Sequence, residues 1–562
     1  MRARWRPMLR VESLLLIVIA WLIATVNGDC WRAVGAGRVW TDPANGLFIV
    51  AVFVLLVALH FALLAAIVNR WTVRPLLTLV VIASVAAAYF MRTYAVIMDP
   101  TMIQNILETD TREASDLVSW SLVGSVLLWS APLVAFVWWV RIEHRPWLRS
   151  FFVRAGYIAA ALVVAVLAVL PVSRDLTSLM RNQRELRYLI TPGNYLYGLA
   201  GNLLREARDS RVAREPVGTD ARLLRLATAP RDPRVLVLVV GETVRAANFS
   251  LLGTYERATT PELGKLDVLS FSNVTSCGTS TEVSVPCMFS QWGREDYDER
   301  RIRNSEGLLN VLARAGYAVK WLDNQSGCKG VCQGAGIEYQ KIDAQQAQKA
   351  GAQDLCARDE CLDGILVRRL QSELAGVRKD TVFVLHMMGN HGPAYYRRYP
   401  PSFRRFTPDC ATAELRRCSR EQIVNAYDNA ILYTDHVLAG IVGTLASVSA
   451  LDTAMIYVSD HGESLGENGL YLHGLPYAIA PSTQTHVPMV VWLSPQFSTA
   501  ARVSTRCLKG RAQDPLSHDN LFHSVLGLLD VHTHVYRAER DLFEGCRGHA
   551  GPAFARNPRV SR

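Results

Sequence analysis

Apolar residues crowd the first 172 positions of the chain and thin out after them. Five unbroken apolar runs lie in that region, near residues 11–27, 47–69, 75–95, 118–140 and 151–171. Each is long enough to cross a hydrocarbon layer. The first is short and follows a basic head, as a signal peptide would. No small-residue cleavage site follows it and four further runs do, so a retained helix is expected. Next, "SRDLTSLMRNQRELRYLI" mixes apolar and basic positions at roughly helical spacing, which predicts an amphipathic helix on the outer membrane surface. "REARDSRVAREPVGTDARLLRLATAPRDPR" then reads as an Arg-rich linker ending at Pro230 and Pro233. From residue 234 the pattern changes again. "RVLVLVVGET", "DTVFVLHMMGNHG", "TAMIYVSDHGES" and "HVPMVVWLS" are short apolar strands, and "LLNVLARAGYAVKWLDN" is a helix followed by a strand. Apolar runs without alternation predict a sheet covered on both faces, hence an α/β sandwich. The expected organisation is a five-helix transmembrane domain over 1–171, a surface helix and linker over 172–233, and one globular domain over 234–562.

Basic residues orient the spans. Arg2, Arg4, Arg6 and Arg10 precede the first; Arg70 and Arg74 separate the second and third; Arg141, Arg145, Arg149 and Arg154 flank the turn between the fourth and fifth. With five spans these fall on one side, the cytoplasm, and the acidic 96–117 loop falls on the other. An odd number of spans exports everything after about residue 172. Cysteine usage agrees. Ten of the eleven cysteines follow residue 276, at short spacings that suit a disulfide set in an exported domain. Pairing neighbours gives 277–287, 328–332, 356–361 and 410–418, and leaves 507–546; Cys30 is the odd one. The spacings match no usual zinc-ligand pattern. Half of the 562 residues are hydrophobic and the formal net charge is +10. In an exported domain that charge argues for anionic lipid and against nucleic acid.

Chemistry-bearing residues collect at strand ends. Glu242 follows "VLVLVVG", Asp460 and His461 follow "MIYVS", His386 ends "VFVL", and His391 lies just beyond. In open α/β sheets ligands sit beyond the carboxyl ends of strands. Two carboxylates and an imidazole, Glu242, Asp460 and His461, make a three-ligand zinc set with one position open. A hydroxyl placed there loses its proton more easily and becomes a nucleophile. "SCGTSTEVSVPC" supplies hydroxyls about forty residues after Glu242, where a starting helix would attract phosphate. Spacing does not choose among Thr279, Ser280 and Thr281.

Longer motifs extend this picture. "GETVRAANFSLLGTY", "NVTSCGTSTEVSVPCMFS", "DNQSGCKGVC", "GNHGPAYYRRYP" and "SDHGESLGENGLYLHGLPYAIAP" closely resemble the lipid A phosphoethanolamine transferases, the family that includes the mobile colistin-resistance enzymes. The likeness runs from the membrane spans to about Cys546. It implies an alkaline-phosphatase/sulfatase-like domain in the periplasm, anchored by five helices in a Gram-negative inner membrane. It implies Thr281 as the nucleophile, sharing Zn2+ with Glu242, Asp460 and His461, and places His391 and His473 in the site as catalytic and substrate-binding residues. Glu463 is a candidate helper of a second zinc, and His386 is left as structural. In "MIQNILETDTREA", Asn105, Thr109 and Glu113 stand at i, i+4 and i+8, one face of a helix. The resemblance makes them head-group contacts, with Glu113 facing an ethanolamine ammonium. Ser326 and Lys329 resemble further family contacts. Gln325 departs from the Asn common at its position.

The resemblance therefore implies transfer of phosphoethanolamine from phosphatidylethanolamine to a lipid A phosphate through phospho-Thr281. The product carries less negative charge, which implies polymyxin resistance. A monomer is expected. The rivals are a transferase acting on core heptose or a periplasmic glycan, a glycerol-phosphate polymerase, and an inactive lipid-binding protein; the last is disfavoured because every principal site residue is present.

Overall fold

The computed structural model describes residues 6–548 apart from 37, 40–41, 110, 210–212, 224–231, 344–346, 349–351 and 358–359. The chain divides into two compact units, Met1–Arg211 with Leu465–Pro476, and Val212–Ser464 with Tyr477–Arg562.

The first unit is helical. Helix α1 (Val11–Thr25) bends by 61° into α2 (Gly28–Gly35). Helices α3 (Pro43–Ile67), α4 (Val73–Tyr94), α5 (Pro100–Glu108), α6 (Thr111–Leu117) and α7 (Trp120–Trp139) follow. The starts are written in the sequence. Asp42 accepts from the Ala44 amide ahead of α3, and Ser119 accepts from Leu122 ahead of α7. The interior of the unit is Leu14, Leu15, Val18, Ile19 and Leu22 of α1 against Phe48, Leu56, Leu77 and Val81. Among the described residues, four helices are long and apolar enough to cross a membrane, or five if the bent α1–α2 pair counts as one span.

Two readings of this unit are corrected. The last apolar run ends near 171 but its helix does not, and the amphipathic helix expected next continues it. Helices α8 (Trp147–Val169) and α9 (Ser173–Asn182) join through a 3-10 turn into one helix, Trp147–Asn182. A further helix, α10 (Gly193–Asp209), follows and takes in the start of the Arg-rich stretch read as linker, residues 205–209. Gly198 lets it lie close on α5, since a Cβ there would stand 2.7 Å from Ile103 Cγ1. The part of the linker at 210–212 and 224–231 lies outside the described residues. Second, Asn105, Thr109 and Glu113 do not share one helix face. Helix α5 ends at Glu108, and Thr109 is extended at φ −63°, ψ 128°. The Thr109 hydroxyl donates to the Asn105 carbonyl at 2.5 Å, where a continued helix would place an amide. Glu113 belongs to α6, and its side chain lies outside the described residues.

The second unit is built on an eight-stranded sheet. Its strands are β1 (Arg234–Gly241), β2 (Leu269–Thr275), β3 (Ala318–Asp323), β4 (Ile337–Lys341), β5 (Thr381–His386), β6 (Asp452–Ser459), β7 (His486–Leu493) and β8 (Leu516–Ser517). Their order across the sheet is β8-β2-β7-β6-β1-β5-β3-β4. Strand β7 runs antiparallel to both neighbours and the other pairings are parallel. Every residue of β1 is buried, with Leu236, Leu238 and Val240 facing a core that includes Val285, Leu309, Phe522 and Val525. Both sheet faces are covered, as unalternating apolar strands require. Strands β4 and β8 stand at the two edges and were not read from the sequence: β4 is a half-buried, polar "IEYQK", and β8 has only two residues.

Five disulfides tie the second unit, Cys277–Cys287, Cys328–Cys332, Cys356–Cys361, Cys410–Cys418 and Cys507–Cys546, as neighbour pairing gave. Cys30 is free and buried.

Candidate active site

The sheet register creates the site. Strands β1 and β6 are parallel neighbours, with Ser459 opposite Gly241 at their carboxyl ends. The next residues, Glu242 and Asp460, therefore leave the sheet side by side, and the Asp460 amide donates to the Gly241 carbonyl at 2.9 Å. Asp460 Oδ1 accepts from the amides of Thr243 and His461, at 3.1 and 2.7 Å. His461 Nδ1 donates to the Gly462 carbonyl at 2.9 Å. That fixes the ring so that Nε2 faces oxygen atoms: Asp460 Oδ2 at 3.3 Å, Glu242 Oε1 at 3.4 Å and Thr281 Oγ1 at 3.4 Å.

Helix α11 (Thr281–Met288) delivers Thr281 as its first residue. The preceding loop is pinned from several directions. The Gly278 amide donates to Ser284 Oγ at 2.8 Å, Ser276 Oγ donates to the Gly278 carbonyl at 2.6 Å, and Cys277–Cys287 closes the turn. Of the three hydroxyls left open by spacing, that of Thr281 reaches the cluster. It donates to both Glu242 oxygens, at 3.1 and 3.0 Å.

Glu242, Asp460 and His461 are fully buried, and their ligand atoms lie within 4.8 Å of one another. Asp460 Oδ2 has no hydrogen-bond partner among the described residues. Burial opposes charge on His461, yet the Asp460 and Glu242 carboxylates carry it up to about 9. Burial and the Glu242 charge push Asp460 up to about 6. The two buried carboxylates thus draw a proton onto the imidazole Nε2 between them, and an acceptor atom is still left over. A cation satisfies what the hydrogen bonds do not, so the residues fit a divalent metal.

The residues of this unit expected to contact substrate, Ser326 and Lys329, join the same network through Gln325. Gln325 Nε2 donates to Glu242 Oε2 at 2.8 Å, and Gln325 Oε1 accepts from the Ser326 hydroxyl. Lys329 Nζ donates to Ser326 Oγ at 2.9 Å and stands 3.3 Å from Glu282 Oε2. Glu282 adjoins Thr281, so the contacts close into a ring. Gln325 replaces the expected Asn and orients Glu242, a role its identity alone did not suggest. His391 stands on the loop after β5, where its carbonyl accepts from Arg398 Nε at 2.9 Å. Glu463 is fully buried. His386 Nδ1 pairs with Asp323 Oδ1 at 2.8 Å, as befits a structural residue. His473 belongs to Leu465–Pro476 of the first unit, where a Cβ on Gly474 would lie 3.8 Å from Asn105 Nδ2.

Two further supports were missed in the sequence. His518 is fully buried; its Nδ1 accepts from the Cys277 amide at 3.1 Å, and its Nε2 donates to the Ser459 carbonyl at 2.9 Å. It ties the Thr281 loop to the strand that carries Asp460. Gly389, at φ +51°, lies so near Glu242 that a Cβ would meet its carbonyl oxygen at 2.6 Å. The Asp363 carboxylate holds that turn, accepting from the Met388 and Gly389 amides at 2.9 and 2.7 Å. His518 sits in no motif, and Gly389, although it opens the GNHGPAYYRRYP stretch, gives no sign there of its approach to Glu242.

A hydroxyl at a helix start, facing carboxylates and imidazole beyond the sheet's carboxyl edge, defines the sulfatase-like class, and residues 234–531 match the Sulfatase family model. Residues 56–207 match the model described as Phosphoethanolamine transferase EptA/EptB. The chain is 37% identical to phosphoethanolamine transferase EptA of Salmonella typhimurium over 539 residues, 94% of this chain and 97% of that one. It is 38% identical to phosphatidylethanolamine transferase Mcr-1 of Escherichia coli over 470 residues, 82% and 84% of the two chains. The solved integral membrane lipooligosaccharide phosphoethanolamine transferase A from Neisseria meningitidis superposes with a TM-score of 0.87 at 34% identity, covering 96% of this chain and 99% of that one. The chain belongs to the phosphoethanolamine transferase family of EptA and Mcr-1. It is a phosphoethanolamine transferase of the Gram-negative inner membrane, with its catalytic domain in the periplasm.

Proposed function

We propose that this enzyme moves phosphoethanolamine from phosphatidylethanolamine to a phosphate of lipid A, with Thr281 as the nucleophile. The observation that carries this reading is the Thr281 hydroxyl, 3.0 Å from Glu242 in a buried cluster with Asp460 and His461. Glu242, Asp460, His461 and Thr281 would hold Zn2+, which when bound lowers the pKa of a coordinated hydroxyl and offsets phosphoryl charge. Thr281 Oγ attacks phosphorus and the bond to the diacylglycerol oxygen breaks. Diacylglycerol leaves as the alcohol, and phosphoethanolamine remains on Thr281 as a phosphodiester. A lipid A phosphate oxygen then attacks the same phosphorus, and Thr281 recovers its hydroxyl. His391 and His473 are assigned to proton delivery and to the phosphate oxygens. Lys329 meets the phosphate as a point charge and Ser326 orients it. Asn105, Thr109 and Glu113 are assigned to the head group, Glu113 as the partner of the ammonium by its charge, and Glu463 to a second zinc. A five-helix anchor, α1–α2 counting as one span, places donor and acceptor in the same membrane. The product loses net negative charge, so cationic polymyxins bind it less well.

The test is expression of the wild type, Thr281→Ala and Glu242→Ala in a Gram-negative host lacking its own transferases, followed by mass spectrometry of lipid A. A phosphoethanolamine increment with the wild type alone is expected. Full activity in either variant sinks the nucleophile and metal assignments. Unmodified lipid A, with all three proteins present in the membrane, moves the acceptor to core heptose or a periplasmic glycan.

A further inference from the structure

A carboxylate beside the nucleophile is unexpected in a site meant for phosphate. Glu282 follows Thr281 directly, and its side chain is only 4% exposed. Its two oxygens are divided between two cations. Oε1 meets Arg303 Nη2 at 3.1 Å, and Oε2 meets Lys329 Nζ at 3.3 Å. Arg303 in turn pairs through Nε with Glu299 at 3.3 Å. A purely structural reading would have Glu282 anchor α11 through Arg303. Arg303, however, already holds the Glu282 backbone carbonyl, at 2.8 Å, without needing the carboxylate. The second oxygen is turned to Lys329, which is itself only 8% exposed and bound to Ser326 Oγ.

We infer that Glu282 is a positioning residue that tunes the phosphate subsite. It holds the Lys329 ammonium against Ser326 and cancels part of its charge, so that the phosphoryl group is gripped firmly enough to react and loosely enough to leave. This rests on the reading that Lys329 meets phosphate. A ping-pong enzyme must release an alcohol product and then a phosphorylated one from the same subsite, so an uncompensated Lys329–Arg303 pair would retain anions. Removing one negative charge a few ångströms from a bound anion, in partly screened surroundings, is expected to tighten phosphate binding by about tenfold.

The experiment uses the full chain in detergent, a fluorescent phosphatidylethanolamine as donor, and inorganic phosphate as a competitive inhibitor. Glu282→Gln keeps the shape and removes the charge; its inhibition constant is expected to fall by about tenfold, with kcat reduced. Glu282→Asp keeps the charge and is expected to stay within about twofold of the wild type. Arg303→Met removes one of the two cations on the Glu282 carboxylate, leaves more of its charge to Lys329, and is expected to raise the constant. An unchanged or raised constant in Glu282→Gln overturns the inference, as does a shift in Glu282→Asp equal to that in Glu282→Gln. If Glu282→Gln does not fold, Arg303→Met decides, and a constant unchanged or lowered there overturns it equally. Lys329→Met separates the two ideas: an unchanged constant in that variant rejects Lys329 as the phosphate contact, whereas a raised one with Glu282→Gln inert rejects only the role of Glu282.

Discussion

Replacing His518 by Asn, Gln or Ala takes apart the bridge between the Thr281 loop and β6 one bond at a time. Asn puts an acceptor near the place of Nδ1 and keeps the Cys277 amide satisfied. Gln puts a donor near the place of Nε2 and keeps the Ser459 carbonyl satisfied; Ala keeps neither. A buried amide left without a partner costs about 1–3 kcal/mol, and a carbonyl, which tolerates a missing partner better, costs less. The expected order of stability at pH 7 is therefore wild type, Asn, Gln, Ala. The pH dependence gives an independent number. Burial pushes His518 down to about 4 from an ordinary 6.5, so the unfolded chain binds a proton that the folded one refuses. Stability from this group is complete above pH 6.5 and is lost as the pH falls towards 4. The loss is about 3 kcal/mol by pH 4, and none of the three variants carries it. The assay is thermal unfolding of the full chain by intrinsic fluorescence between pH 7 and 4, where each kcal/mol moves the midpoint by about 2 °C in a domain of this size. The wild-type advantage over Asn should shrink steadily across that window. Parallel pH curves for wild type and Asn, or an Ala variant as stable as the wild type, would refute the bridge.

Gly389→Ala forces a Cβ to within 2.6 Å of the Glu242 carbonyl at a left-handed φ. Strain of about 1–3 kcal/mol is expected, with a turnover loss of about a hundredfold from displaced Glu242, read by unfolding and transfer assays side by side. Cys277→Ser with Cys287→Ser opens the loop that holds Thr281 and should cost about 3 kcal/mol on chain entropy, measured by thermal unfolding. Chelation of the purified enzyme should lower its midpoint and abolish transfer, with zinc restoring both; a midpoint insensitive to chelator would remove the Glu242–Asp460–His461 site from consideration. Gln325→Ala should lower kcat by freeing Glu242, while Gln325→Asn recovers part of it, as steady-state kinetics would show.

How much of this was legible in sequence depended on the range of the interactions involved. Strands β1, β5, β6 and β7 were readable because continuous burial leaves an unbroken apolar run, and a polar residue at the end of such a run marks the rim. Glu242, Asp460 and His461 were found that way. Edge strands β4 and β8 lack that signature, and the helicity of α10 was hidden by glycine, tyrosine and asparagine positions. The face proposed for Asn105, Thr109 and Glu113 failed on a local matter: a threonine that bonds back to its own turn ends α5. Gln325 and His518 were illegible for the opposite reason. Their partners lie 83 and 241 residues away in sequence, Glu242 and Cys277 respectively, and no spacing rule reaches so far.

The five disulfides carry one more consequence. In the exported unit the cysteines pair strictly in the order in which they occur, first with second and so on to ninth with tenth, across separations of 10, 4, 5, 8 and 39 residues. A chain threaded through a translocon amino end first therefore meets, after each unpaired thiol, its own partner as the next to emerge. With Cys30 buried in the first unit, sequential oxidation yields the native set without reshuffling, so a thiol oxidase alone is expected to finish the domain.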